Sequence, residues 1–287
     1  MYLSRYLDPI DGTPRVGLES EDGTLRRLEV GDLDALLARE LHEIHALVEA
    51  PGAVVDAPVT WLPPVTGRME VWAAGVTYLR SREARIEESS VSDVYTKVYD
   101  AERPELFFKS VAWRVVTDDQ PIGIRTDSPL NVPEPEVAVV ATRSGQPLGY
   151  TICNDVSSRT IEGENPLYLP QAKVYAGACA LHRRIRLAWT VDNPHRLAVS
   201  GTITRGGTVV WHAETNTAQM RRRFADLLDW AFRGDVHPNG MVLSTGTGIV
   251  PPIDVTLLAG DVVRIEVESI GALENTVVEG RARFEER

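Results

Sequence analysis

Val132-Pro-Glu134-Pro-Glu136-Val-Ala-Val-Val140, followed closely by Gly149-Tyr-Thr-Ile-Cys-Asn-Asp155, decides both the fold class and the chemistry. A proline pushes the residue before it into extended backbone. In extended backbone, residues two apart point to one face. Glu134 and Glu136 therefore project together, ahead of an apolar β-branched run. Adjacent carboxylates repel each other unless a positive charge lies between them or one is protonated. A hard divalent cation answers that repulsion, and an oxygen-only ligand set suits magnesium, manganese or calcium. The second stretch is a strand that ends on an acid, and Asp155 completes a set of three carboxylates. Taken singly, a Glu-x-Glu pair also fits a solvated strand, and Asp155 also fits a turn cap.

Further strand signals lie on either side. Tyr2–Tyr6, Arg15–Leu18, Leu25–Val30, Met69–Val76, Val111–Val116, Leu197–Arg205, Thr208–Glu214, Val242–Ser244 and Val262–Val267 are β-branched or aromatic runs bounded by turn residues. Two helices stand out. Leu33, Leu36, Leu37, Leu41, Ile44 and Val48 form one apolar face over 33–48, with Asp32 as cap. Met220, Phe224, Leu227, Leu228 and Ala231 form another, with Asn216 or Thr217 as cap and Gly234 after its end. Tyr78–Asp100 is rich in Arg and Glu and reads as a helical flap, or equally as a solvated surface helix. The proline-rich stretch from Ala50 to Pro64 divides the chain. The expectation is a strand-dominated α+β protein, with residues 1–64 as a small N-terminal α/β unit with its linker and 65–287 as the main domain.

The chain has 287 residues and a formal net charge of -11, which offers no basic stripe to nucleic acid. No signal core and no membrane-length apolar run is present, so a cytoplasmic location and no membrane partner are expected. Cys153 and Cys179 lack CxxC spacing and read as buried thiols. Lys173, in Gln171-Ala-Lys173-Val-Tyr-Ala-Gly177, sits among small and apolar residues, where a lysine either covers apolar atoms with its stem or serves a charged site. Ser244-Thr-Gly246-Thr247-Gly248 offers hydroxyls and amides to an anion, or forms a plain turn.

Glu134-Pro-Glu136, Gly149 to Ser157, Lys173, Thr245-Gly-Thr247, and Leu258 to Gly271 with Asn275-Thr-Val277 together resemble the fumarylacetoacetate hydrolase family over about Val71 to Gly280. The resemblance implies a mixed β-sandwich roll, a homodimer, and a magnesium ion held by Glu134, Glu136 and Asp155. It also implies Lys173 beside the metal and Gly246 and Thr247 beside the substrate. Hydrolytic members carry a histidine three residues after a tyrosine. Here that position, in Gly75-Val-Thr-Tyr78-Leu-Arg-Ser81, is Ser81, and none of the six histidines (His42, His45, His182, His195, His212, His237) falls nearby. Serine cannot replace imidazole as a base near neutral pH.

Gly75–Tyr78, Arg80–Arg85 and Pro104-Glu105-Leu-Phe-Phe-Lys109 are instead similar to the 2-keto-3-deoxy-pentonate dehydratase branch. That likeness implies dehydration of a 2-keto-3-deoxy sugar acid, such as 2-keto-3-deoxy-D-arabinonate, to 2,5-dioxopentanoate through a metal-bound enolate. Lys173 is then the base or the enolate stabiliser, and Glu105 the proton carrier or partner of a metal-bound water. Ser81, Arg82 and Arg85 become substrate contacts from the flap, although the arginines also fit a solvated helix face. Two other readings stay open. One is an acylpyruvate- or fumarylpyruvate-type C–C hydrolase, or an oxaloacetate decarboxylase, of the same family. The other is a non-catalytic metal- or ligand-binding module.

Overall fold

A computed structural model describes residues 1–88 and 97–285, the side chains of 84–88 excepted. The strands, in chain order, are β1 (Tyr2–Leu7), β2 (Pro14–Glu19), β3 (Leu25–Arg27), β4 (Thr60–Leu62), β5 (Glu70–Gly75) and β6 (Glu105–Val111). Then come β7 (Ile122–Ile124), β8 (Asn131–Val132), β9 (Pro135–Ala141), β10 (Pro147–Asp155), β11 (Ser157–Ser158) and β12 (Cys179–Leu181). Last are β13 (Arg184–Leu187), β14 (Ala198–Arg205), β15 (Thr208–Asn216), β16 (Met241–Ser244), β17 (Val262–Val267) and β18 (Gly271–Glu279). The helices are α1 (Leu33–Leu37), α2 (Leu41–Glu49), α3 (Leu79–Glu88), α4 (Arg159–Glu164), α5 (Leu169–Lys173) and α6 (Phe224–Phe232).

The strands build an 11-stranded sheet with the path β3-β2-β1-β13-β10-β9-β16-β5-β6, and a 5-stranded sheet ordered β15-β14-β17-β18-β7. The architecture is the expected strand-dominated α+β. Residues 1–64 join the larger sheet through β1, which pairs antiparallel with β13. Alternation along β9 divides the core. Val137, Val139 and Ala141 face one cluster with Ile203, Trp211, Ile265 and Leu273 of the smaller sheet and Leu227 of α6. Ala138 and Val140 face the other, with Leu33, Leu36, Leu37 and Ile44. Burial of two apolar faces on one strand explains why β9 reads as an unbroken hydrophobic run. No helix among the described residues is long and apolar enough to cross a membrane.

Four elements differ from their sequence reading. The helix expected over 33–48 is two helices. Leu37 gives its carbonyl to the Arg143 N–H at 2.9 Å, which ends α1, and the Glu40 N–H donates to Glu43 Oε2 at 2.9 Å to start α2. The strand expected over 111–116 lies earlier, at β6, and passes into a 3-10 turn at Ala112–Arg114. The strand read as Leu25–Val30 stops at Arg27. The helix expected from Met220 begins at Phe224. Asn216 caps a 3-10 turn at Thr217–Gln219 instead, and Met220 bridges to Tyr78. Of the flap, α3 is observed, and 89–96 lie outside the described residues.

Candidate metal centre and active site

The antiparallel register of β9 and β10 sets Cys153 opposite Glu136 and Asn154 opposite Pro135. Glu136 therefore shares the face of Ala138 and Val140, and Asp155 arrives beside it from the end of β10. Glu134 is fixed just before β9. Its N–H donates to Asn154 Oδ1 at 3.1 Å, and its carbonyl accepts from the Asp155 N–H at 3.1 Å. One carboxylate oxygen from each of Glu134, Glu136 and Asp155 lies within 4.8 Å of the others, and all three residues are buried.

Cations serve two of the three. Lys173 Nζ, at the end of α5, donates to Glu134 Oε2 at 2.7 Å, Asp155 Oδ2 at 3.0 Å and Ser157 Oγ at 2.5 Å. Arg159, on α4, reaches Glu134 Oε1 at 2.9 Å. Lys109, on β6, pairs with Asp155 Oδ1 at 2.5 Å, a close ion pair rather than an aligned hydrogen bond. Glu136 meets no lysine or arginine among the described residues. Its Oε2 accepts from Ser244 Oγ at 2.5 Å and from the Gly246 N–H at 2.7 Å. Burial, then the charges of Asp155, Cys153 and Glu134, push its carboxyl well above the ordinary range. Three buried acids with oxygen-only donors, one of them meeting no lysine or arginine among the described residues, fit a hard divalent ion.

A small cavity opens onto these acids, lined also by Glu105, Phe107, Glu162, Ser81, Gly246 and Thr247. Larger hollows around Trp113, Tyr175 and Phe284 lie away from the carboxylates. Glu105 stands opposite Gly75 across β5 and β6. A Cβ on Gly75 would sit 2.1 Å from Glu105 Oε2, so only glycine lets this carboxylate lie against the β5 backbone. Val76 follows with φ 51°, a strained conformation for a β-branched residue on the cavity wall. The Arg221 N–H to Thr77 carbonyl bond, 2.9 Å, and the Tyr78–Met220 bridge hold that turn.

The structure brings together most of the residues picked from sequence. Glu134, Glu136, Asp155, Lys173, Glu105, Ser81, Gly246 and Thr247 share one cavity. Two of their hydroxyls are spent internally. Ser81 Oγ donates to the Tyr78 carbonyl at 2.8 Å, and Thr247 Oγ1 donates to the Ile249 carbonyl at 2.9 Å. Arg82 is not in the cavity lining; its guanidinium lies 4.9 Å over the Tyr99 ring. The Arg85 side chain lies outside the described residues. Sequence reading passed over Arg159, Glu162 and the role of Lys109. The signals were present: Arg159 and Glu162 share a helix face at three-residue spacing, and Lys109 follows Glu105 and Phe107 at two-residue spacing along one strand.

Comparison with known proteins agrees with this geometry. A family model described as fumarylacetoacetate (FAA) hydrolase C-terminal matches residues 71–278. A probable 2-keto-3-deoxyxylonate dehydratase of Haloferax volcanii is 47% identical over 84% of this chain and 81% of its own length. A 2-dehydro-3-deoxy-D-arabinonate dehydratase of Saccharolobus solfataricus is 43% identical over 74% of this chain and 72% of its own. A solved 2-keto-3-deoxy-D-arabinonate dehydratase, complexed with magnesium and 2,5-dioxopentanoate, superposes with a TM-score of 0.85 at 34% identity, covering 98% of this chain and 99% of that one.

Proposed function

From the premise that the chain belongs to the fumarylacetoacetate hydrolase family, we propose that it is a magnesium-dependent hydro-lyase that dehydrates a 2-keto-3-deoxy-pentonate to 2,5-dioxopentanoate. The observation that carries this reading is the buried Glu134, Glu136 and Asp155 cluster with the Lys173 ammonium against it. Glu134, Glu136 and Asp155 would hold the ion. When bound, it supplies Lewis acidity to the substrate's carboxylate and 2-keto oxygen.

The chain's own residues do the rest. Two carboxylates and a hydroxyl already accept from Lys173 Nζ, an arrangement that suits an ammonium. Lys173 is therefore placed to stabilise charge developing on the 2-keto oxygen, which favours the stabiliser over the base among its two expected roles. Glu105, pressed against Gly75 in the same cavity, carries the proton between C3 and the departing hydroxyl end. The Gly246 N–H orients Glu136. Gly246, Thr247 and Ser81 shape the substrate's seat.

No histidine occurs between His45 and His182, so the cavity wall from Gly75 to Lys173 has no imidazole to activate water. This favours elimination over C–C hydrolysis. The same proposal takes residues 1–64 as a small N-terminal unit and 65–287 as the catalytic part. It takes the working form as a cytoplasmic homodimer and leaves manganese or calcium as substitutes for magnesium.

The test is a purified-protein assay with magnesium and 2-keto-3-deoxy-D-arabinonate, which is the same compound as the D-xylonate derivative because only C4 remains stereogenic, and with its C4 epimer, followed by carbon NMR. Signals of 2,5-dioxopentanoate are expected. Silence with both C4 epimers, combined with cleavage of acylpyruvates or carbon dioxide release from oxaloacetate, would overturn the reaction.

A further inference from the structure

Strand β6 sends Glu105 and Phe107 to one side at two-residue spacing, and Lys109 follows where the register against β5 shifts. Glu105 and Phe107 reach the cavity; Lys109 stops behind it, 1% exposed. An ammonium in that position is costly unless its hydrogens are met. They are met by atoms of two separate elements of the site. Nζ donates to the Val156 carbonyl at 3.0 Å and to the Lys173 carbonyl at 2.6 Å, and it pairs with Asp155 Oδ1 at 2.5 Å.

Each contact has a consequence. The Lys173 carbonyl belongs to the last turn of α5, whose carbonyls lack helical partners and sit at the negative end of the helix dipole. A cation there fixes where the helix ends, and so where the Lys173 side chain starts. The Val156 carbonyl lies one residue beyond Asp155, so the same ammonium also fixes the end of β10. By engaging Asp155 Oδ1, Lys109 turns Oδ2 toward the cavity side, where it meets Lys173 Nζ together with Glu134 Oε2. Remove the ammonium and Asp155 loses its hold on Oδ1, while β10 and α5 lose their shared pin.

We propose that Lys109 is a positioning residue for the reaction: one buried ammonium that sets Asp155 as a metal ligand and Lys173 as a charge stabiliser relative to each other. This rests on the metal-dependent dehydratase reading above. Lys109 touches neither substrate nor ion; it acts through the two groups it holds. A lysine kept only for stability makes a different prediction, since its loss would lower the melting temperature and leave the folded site unchanged.

The experiment compares wild type with Lys109→Met, which keeps length and loses charge, and with Lys109→Gln, which keeps two donors and loses charge. Magnesium affinity is measured by calorimetry on folded, chelator-treated protein. Steady-state kinetics with the 2-keto-3-deoxy-pentonate are run at saturating magnesium. For Lys109→Met, the magnesium Kd rises and kcat falls, each by roughly 10–100-fold, as removal of an outer partner of a metal ligand typically does. KM for the keto acid stays unchanged, and Lys109→Gln shows the smaller loss. Unchanged magnesium Kd and kcat beside a lowered melting temperature would overturn the inference. If Lys109→Met does not fold, Lys109→Gln is judged by the same two quantities. Wild-type protein that binds magnesium but leaves the sugar acid intact would refute the reaction alone, with the Kd comparison still deciding Lys109. Wild-type protein that binds no divalent ion would overturn both.

Discussion

Replacing Glu136 by glutamine should stabilise the metal-free protein while abolishing its response to magnesium. Glu136 is 2% exposed, and its carboxyl is pushed well above the ordinary 4.5 first by burial and then by Asp155, Cys153 and Glu134; Ser244 opposes this only in part. The sign follows from which state holds the proton. Between 4.5 and the raised value, the folded protein keeps a proton that the unfolded chain has released. Stability of the metal-free protein therefore falls as pH rises through that window. The penalty at pH 7 has a ceiling. A carboxyl raised beyond 7 simply folds protonated, so at most the interval from 4.5 to 7 counts, at about 1.4 kcal/mol per unit, a ceiling of about 3.5 kcal/mol. Glutamine is isosteric, and its carbonyl can still accept from Ser244 Oγ and the Gly246 N–H. It removes the charge and keeps the bonds. Calorimetric melting in chelator at pH 7 should show Glu136→Gln above wild type by up to on the order of 5 °C. The difference should close as the pH approaches 4.5, and magnesium should raise the melting temperature of wild type alone. A variant that is less stable than wild type at every pH, or that magnesium still stabilises, would refute the reasoning.

Other consequences can be checked as directly. Lys173→Ala should retain magnesium by calorimetry and lose turnover by about 10²–10³-fold, the usual cost of a lost charge stabiliser; full turnover would remove Lys173 from the mechanism. Gly75→Ala places a Cβ 2.1 Å from Glu105 Oε2, so kcat should drop with magnesium affinity intact, and a crystal structure should show Glu105 displaced. At Asp118, burial raises the carboxyl, but the 2.6 Å His182 contact and the Arg183 N–H outweigh it and hold the group below the ordinary range. Its contribution to stability is thus complete above the ordinary value and lost as pH falls through the lowered one. Asp118→Asn should therefore flatten the acid limb of the stability curve measured by urea unfolding.

How much of this was legible from sequence varies with the kind of signal. Strand β9 announces itself through a β-branched run because it is buried along its whole length, and β17 through the alternation of buried Val263, Ile265 and Val267 with exposed Arg264 and Glu266. The carboxylate triad was legible because two-residue spacing and a nearby strand-ending acid are local facts. The break between α1 and α2 was not, because it depends on Arg143, more than 100 residues away in the chain, taking the Leu37 carbonyl. Strand β6 was misplaced because Glu105 and Lys109 look like surface residues in a list, and only the folded site explains charges on a buried face. Arg159 was missed for the same reason: it is buried against Glu134, supplied by another part of the chain, and Glu162 is buried on the same helix.

The central claim is that the three buried carboxylates hold the ion on which turnover depends. Its most direct test is to strip the protein with chelator, titrate magnesium back, and follow bound ion and formation of 2,5-dioxopentanoate together. Turnover should return in proportion to one bound ion per chain in wild type, with Glu134→Gln and Asp155→Asn recovering neither binding nor activity. Full turnover in the stripped protein, or normal turnover in both variants, would contradict the account.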